Sequence, residues 1–422
     1  MRRPSIDAVR GFDRAVYVVA LGGLLNVFGA GLVYPFATVH FHLAVGVPLS
    51  LVGLGLGANG VATAAGTAVG GYLADRYARR PVMVASMALS AVTLSGYAAV
   101  PALADLAGVP VAATFVAVAT AAGLTAGLYA PASQAYVADR TTGTRRDEAY
   151  ALVKVTNNVG FGAGFVAGGL LYGAAGAAVF VADGATSAVV AVVLLLAVPR
   201  VHDRAAADAS LGDSLSGWRR AVTRRRVLAL AGLNVGFAVM YAQMRTTVPI
   251  VAETTLGLTS AQLGTLYTLN PLTLVVFQLP LVDAVAGWRR TRGLALSAGL
   301  WAASMLVVWP TSAGLLAGAA GVALVGGHLV VRTLGEVLHS PLATSLVSDL
   351  GGAADRGSQL SLLEVAKRLG MGVGSAVGGL FFDYGAGALL WPTLAVVCGL
   401  LVVGLLAVER SVTPAENGVP AD

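Results

Sequence analysis

One recurrence narrows the fold of this chain more than any other feature: about twelve stretches of mostly apolar residues follow one another between residues 14 and 408. A helix crossing a hydrocarbon layer of about 30 Å needs about 20 such residues, because every backbone amide must bond within its own segment. The stretches run approximately over 14–38, 48–74, 82–101, 111–138, 148–173, 176–198, 226–250, 258–283, 293–310, 316–348, 360–382 and 387–408. Charge is scarce among them: Lys, Arg, Asp and Glu make up 11% of the chain, against about 25% in soluble domains. Hydrophobic residues make up 57% and the mean hydropathy is +0.79, more apolar side chain than a water-soluble fold of 422 residues has interior to hold. The same figures exclude a disordered chain, and the lone Cys398 excludes a disulfide scaffold. An all-α integral membrane protein remains.

Basic loop residues stay on the cytoplasmic side of a membrane, and here they alternate strictly. They occupy the N-terminus (Arg2, Arg3, Arg10, Arg14), the second connection (Arg76, Arg79, Arg80) and the fourth (Arg140, Arg145, Arg146). They return in the sixth (Arg200, Arg204, Arg219, Arg220, Arg224, Arg225, Arg226), the eighth (Arg289, Arg290, Arg292) and the tenth (Arg356). The odd-numbered connections hold residues such as His40, His42, Asp105, Glu253 and Asp383 instead. A multi-pass protein of the cytoplasmic membrane with both termini cytoplasmic is therefore expected. This topology accounts for the net charge of +6, so no nucleic-acid partner is called for. The first stretch is too long for a signal-peptide core and reads as a retained span. Residues 1–198 and 226–410 then form two six-helix bundles, 199–225 a cytoplasmic linker and 411–422 a disordered tail. The basic piece from Trp218 to Arg226 reads either as a headgroup-binding amphipathic segment or as stop charges beside the bilayer.

The two halves repeat one another. Pro131 and Pro341, Asp139 and Asp349, Arg146 and Arg356, and Gly160, Gly164, Gly168 and Gly169 with Gly370, Gly374, Gly378 and Gly379 are each 210 positions apart. Arg79 and Arg80 map onto Arg289 and Arg290 at that offset, and Asn59 onto Asn270 at 211. A parallel duplication of six spans places the substrate path between the halves.

The loop after the second span reads Gly71-Tyr-Leu-Ala-Asp75-Arg76-Tyr-Ala-Arg79-Arg80. It resembles the Gly-x-x-x-Asp-Arg-x-Gly-Arg-Arg signature of the major facilitator superfamily, with Ala78 at the second glycine. The resemblance implies twelve transmembrane helices in two pseudo-symmetric six-helix bundles. It also implies that Asp75 and Arg79 lock the cytoplasmic side, with Asp139 as ionic partner, where the bland alternative is charges that only anchor topology. Lys154 and Glu364, 210 positions apart near the cytoplasmic ends of the fifth and eleventh spans, read either as opposite charges of an inner gate or as side chains that snorkel to the interface. Gly160, Gly164, Gly168 and Gly169 resemble the superfamily's antiporter signature, with Phe165 at its proline; Ala119 stands where many proton-coupled exporters carry arginine. Glycines at this spacing are equally explained by close helix packing in lipid. Gly55, Gly57 and Gly60 mimic a dinucleotide fingerprint, but inside a membrane span they lack the strand and sheet it needs. No cofactor is expected.

An ionised group at mid-bilayer costs at least about 2.5–3.5 kcal/mol and has to meet a partner or a wet cavity. Asp183, Arg245, Arg332 and Glu336 are in that position. His328, Arg332, Glu336 and His339 fall at helical angles of about 0, 40, 80 and 20 degrees, one face of the tenth span. Arg332 and Glu336, four apart, can pair. Burial favours the neutral form of Glu336 and the arginine its charged form. The pair therefore reads either as a proton-coupling carboxylate tuned by its partner or as a permanent structural bridge. Arg245, beside Tyr241 and Gln243, reads as an anion ligand or as a partner of Asp183 or Glu253. Asn26, Tyr34, Tyr129, Gln134, Asn157, Asn158, Asn234, Tyr267, Asn270 and Gln278 lie on spans that line the cavity in the superfamily. His40 and His42 alone make no metal site.

The run from Gln243 through Asn270-Pro271 to Pro280, with Gly335-Glu336 and Pro341, looks like prokaryotic drug-efflux relatives. That likeness implies a monomer in the lipid bilayer that exports amphipathic small molecules in exchange for protons by alternating access. The arginines at 245 and 332 leave a small anionic metabolite as the alternative cargo. A membrane receptor or intramembrane enzyme is the alternative of another class, but the sequence offers no nucleophile elbow and no paired metal motif.

Overall fold

The computed structural model describes residues 11–199, 222–350 and 356–419. Arg2, Arg3, Arg10, Arg200, Arg204, Arg219, Arg220 and most of the linker, including Trp218, lie outside them.

Apolar composition becomes helix, as a chain surrounded by hydrocarbon requires. In order these are α1 (Arg14–Ala44), α2 (Leu49–Arg76), α3 (Arg79–Ala107), α4 (Val111–Asp139), α5 (Thr144–Ala175) and α6 (Ala178–Ala197). The second half supplies α7 (Arg225–Thr255), α8 (Ser260–Ala284), α9 (Arg290–Ser312), α10 (Gly318–Leu350), α11 (Arg356–Asp383) and α12 (Gly387–Glu409). Eleven are long and apolar enough to cross a membrane. The twelfth, α11, is 28 residues long but dilutes its apolar content with glycines and with Arg356, Glu364, Lys367 and Arg368. Helix ends differ most from the sequence expectation at α1, α3 and α7. Both α1 and α7 continue into a single π-helical turn, His40–Ala44 and Val251–Thr255, 211 positions apart, and α3 continues through a 3₁₀ turn into Val100–Ala107.

The chain divides into two compact units. One takes Met1–His40, Ala58–Asp208 and Ser260–Thr268; the other takes Phe41–Gly57, Ala209–Thr259 and Leu269–Asp422. Within the first, α1 packs along α5 and α6, and α3 along α6. Within the second, α7 packs along α11, and α9 along α10 and α12. The pairings α1–α5 and α3–α6 of the first unit thus recur as α7–α11 and α9–α12 in the second.

Glycines set these contacts. Gly160, Gly164 and Gly168 on α5 meet the backbone of Leu24, Phe28 and Leu32 on α1. Gly370 and Gly374 on α11 meet Val235 and Val239 on α7, and Gly378 meets the Gln243 side chain. The glycines differ by 210 positions and their partners by 211 (235 − 24), so the repeat is realised contact by contact. The start of α2 and the start of α8 follow the same rule. In one unit Gly57 faces Gly372, and in the other Gly264 faces Phe165 and Gly169 faces Ser260. Helices bare of side chains approach closely and gain backbone van der Waals contact, which replaces the hydrophobic drive that lipid removes.

A Cβ on Gly374 would lie 2.6 Å from Val239 Cα, whereas one on Gly299 meets nothing within 4 Å. Gly374→Leu is expected to lower the thermal midpoint in detergent, with about 1–3 kcal/mol of overpacking, and Gly299→Leu to leave it nearly unchanged.

Candidate functional site

Two clusters gather the side chains singled out in the sequence. The first lies inside the unit that holds α7, α10 and α11. Arg332 on α10 is 2% exposed, and its Nη1 lies 3.0 Å from Glu336 Oε2, whose side chain is 25% exposed. The arginine is sealed and the carboxylate is not. Asn270 on α8 donates Nδ2 to Thr333 Oγ1 at 2.9 Å and to Glu336 Oε2 at 3.4 Å. The guanidinium stands over Tyr241 at 5.2 Å and Trp301 at 6.0 Å. Trp301 Nε1 donates to the Arg332 carbonyl at 2.7 Å, and Ser297 Oγ to that of Gly335 at 2.7 Å. The indole presses on Gly335 where a Cβ would have no room, which is why α9 and α10 can close around the arginine. Arg332 Nε has no hydrogen-bond partner among the described residues.

The four-residue stripe of α10 is brought to more than one surface. His328 turns toward α9 and α12, with Nδ1 2.9 Å from the Ser304 carbonyl and its ring edge-on to Trp391. His339 turns toward α7, with Nδ1 3.4 Å from the Tyr241 hydroxyl and its ring 4.3 Å from that of Phe237. It also lines a cavity of about 220 Å³ with Asn234, Ser340, Thr344, Glu364 and Lys367. Asn234 donates to the Leu363 carbonyl at 2.9 Å. Glu364 pairs with Arg368 along α11 at 2.8 Å. Lys367, which sequence reasoning passed over, places Nζ 5.2 Å from the Tyr241 ring and has no ion pair among the described residues. A cation–π contact is worth about 0.5–2 kcal/mol, less than the roughly 2.5–3.5 kcal/mol cost of a charge at mid-membrane.

The other predicted cavity residues are more dispersed. Asp183 is 3% exposed on α6 and faces Gly29 of α1. Tyr34 packs edge-on to Phe161 and Phe165, and Tyr267 is buried against Phe165. Tyr129 and Asn157 are turned toward Gly22 and Gly23 of α1, and Asn26 is half-buried. Arg245 is half-buried on α7, one turn beyond Tyr241. Among the described residues no three His, Cys, Asp or Glu side chains gather as a metal would need.

The second cluster is the arginine loop. Arg79 Nη1 lies 2.8 Å from Asp75 Oδ1 and its Nε 3.4 Å from Asp139 Oδ2, and Nη1 also reaches the Ala74 carbonyl. Arg80 bonds the carbonyls that end α6, at Leu194 and Leu195. Arg76 meets the Tyr72 hydroxyl at 3.0 Å, Gly71 comes nearest to Pro131, and Lys154 is exposed. In the other unit the residue that pairs with Asp349, at 2.6 Å, is Arg290. Arg290 therefore stands for Arg79 at an offset of 211, which corrects the register of 210 assigned to these arginines. A one-residue difference in length between Arg79 and Pro131 and their counterparts explains it.

At offset 211 the counterpart of Asp75 is Ala286, so Arg290 lacks that carboxylate. The segment after Arg410 takes its place. Arg290 Nη1 donates to the Glu416 carbonyl at 2.9 Å, and the Arg290 amide donates to the Asn417 carbonyl at 2.9 Å. The Thr291 amide donates to Asn417 Oδ1 at 3.0 Å, and Glu416 pairs with Arg226 at 3.3 Å. The expected disordered tail is thus corrected through residue 419: it docks because the first amides of α9 are orphan donors, and Asn417 caps them.

The family profile described as Major Facilitator Superfamily matches residues 19–333. The chain is 23% identical over 399 residues to an uncharacterized MFS-type transporter, YttB of Bacillus subtilis, covering 94% of each. It is 26% identical to the multidrug resistance protein MdtH of Aeromonas hydrophila, covering 87% of each. Its fold matches the crystal structure of the nucleoside transporter NupG with a TM-score of 0.77 at 12% identity, over 94% of this chain and 100% of that one.

Asn417→Ala is expected to lower the thermal midpoint by about 1 kcal/mol of lost capping. Two carboxylates outside the spans add a pH dependence. Amide donation from Ala15 and then the Arg140 side chain hold Asp13 below the usual carboxylate range, and Thr413 and then Arg226 do the same for Glu416. A depressed folded-state value stabilises above the unfolded one, about 4, and that contribution is lost as the pH falls through the depressed value. Melting between pH 6 and 3 is expected to show this loss, and the Asp13→Asn, Glu416→Gln variant to flatten it.

Proposed function

The chain belongs to the Major Facilitator Superfamily of membrane transporters, and from that premise we propose that it exports amphipathic small molecules across the cytoplasmic membrane in exchange for protons. Both termini lie in the cytoplasm on this reading, as the arginine-rich connections require. The observation that carries the proposal is the pair of Arg332 and Glu336: a sealed cation beside a carboxylate that is still partly accessible, 3.0 Å apart. A proton arriving on Glu336 cancels the charge that balances Arg332. The uncompensated guanidinium then favours whichever conformation hydrates it. Loss of the proton restores the pair, so proton occupancy and conformation are linked. Asn270, which also donates to Thr333, donates to the Glu336 carboxylate and helps position it. The resistance function named for the MdtH relative supports amphipathic cargo. Arg79, Asp75 and Asp139, with Arg290 and Asp349 in the second half, are the ion pairs that break and re-form as access alternates.

A second reading, transport of a small anionic metabolite, is favoured by Arg332 Nε, which meets no hydrogen-bond partner among the described residues.

In proteoliposomes loaded with ethidium or with carboxyfluorescein, an imposed pH gradient is expected to speed release through the unmodified protein. Glu336→Gln is expected to lose that acceleration while keeping downhill release. Full retention of gradient-driven release by Glu336→Gln contradicts the coupling role.

A further inference from the structure

We propose that the cavity between α7, α10 and α11 is an anion subsite in which Lys367 receives the carboxylate of an amphipathic ligand. The inference rests on the transport reading only for the amphipathic nature of the cargo, and its test is a binding measurement that needs neither transport nor protons.

The first observation is where the ammonium points. Lys367 is eleven residues into α11, about 16 Å from Arg356, whereas Tyr241 is sixteen residues into α7, about 24 Å from Arg225. The lysine side chain therefore reaches from the arginine-rich end toward the middle of the helices. A lysine that only anchors a helix snorkels the opposite way, out to the interface.

The second is what surrounds it. The charged groups near Lys367 are already committed: Glu364 is tied to Arg368 at 2.8 Å and Glu336 to Arg332 at 3.0 Å. The Tyr241 ring receives Arg332 and Lys367 at the same distance, 5.2 Å. One aromatic ring thus serves two cations, and among the described residues Arg332 has a carboxylate partner and Lys367 has none. A positive charge this deep, without a counter-ion among the described residues, is a place for an anionic ligand to bind.

The third is room. The cavity holds about 220 Å³ beside the ammonium, enough for an acid group and a short apolar stem and less than a whole drug-sized ligand fills. Leu360, Leu363 and Ala343 supply its apolar wall, and Ser340 and Thr344 its hydroxyls. Composition agrees: the chain has two lysines against 25 arginines, so a lysine is not its default cation. A compact ammonium accepts a carboxylate from many directions, as a subsite for varied cargo requires.

The test is thermal unfolding of the purified full chain in detergent with three matched probes at millimolar concentration: 4-phenylbutyrate, its amide 4-phenylbutanamide, and 4-phenylbutylamine. Ligand that binds only the folded state raises the midpoint. The acid is expected to raise it and the amide and amine not to. The rise should persist in Lys367→Arg and vanish in Lys367→Met, with Lys367→Gln giving the same comparison should the methionine variant not fold. An equal rise with the amide, a rise with the amine alone, no rise with any probe, or an acid-specific rise that survives in the methionine or glutamine variant overturns the proposal.

Discussion

An ion in hydrocarbon must find an opposite charge, a polar shell or water, and the architecture of this protein follows from that requirement. Most of its arginines sit in the connections, where water and headgroups solvate them. The few that enter the helices are met by design: Arg332 has Glu336, the faces of Tyr241 and Trp301, and a tryptophan that seals α9 against its backbone. Removing either member of a buried pair strands the other, so the helices that carry it tolerate loss of both charges better than loss of one.

The second constraint is backbone proximity. Lipid offers no hydrophobic reward for joining two apolar helices, so contact area must come from close approach. The glycine rows of α5 and α11 provide it against α1 and α7. Their recurrence explains how one ancestral set of six spans serves both halves: the same surfaces are reused with different side chains at the edges. Where the second half has Ala286 in place of Asp75, the C-terminal segment offers the carbonyls of Glu416 and Asn417 to Arg290.

Much of this was legible in the sequence because the bilayer makes composition speak. The apolar stretches, the alternation of arginine, the repeated glycines and the Asp75–Arg80 loop each encode a physical demand that few other folds make. The pairing of Arg332 with Glu336 followed from helical spacing alone. Other features were not legible, for identifiable reasons. The offset of 211 was visible at Asn59 and Asn270, but the adjacent arginines 79–80 and 289–290 fit 210 equally well, and only the pairing of Arg290 with Asp349 decides between them. The role of Trp301 depends on Gly335 opposite it on another helix, which no spacing in the sequence reveals. That of Lys367 depends on which way a long side chain bends, which sequence position does not tell. The tail from Thr413 to Gly418 had a loop's composition, and only the orphan amides of α9 gave it a place to dock.

The central claim is that Arg332 and Glu336 compensate one another inside the membrane, and a double-mutant cycle on thermal stability tests it most directly. Arg332→Met and Glu336→Gln are each expected to lower the midpoint in detergent, because each strands one member of the pair. The double variant should recover most of the loss, a coupling of about 1–3 kcal/mol. Additive losses in the double variant, or single variants as stable as the unmodified protein, would contradict the account.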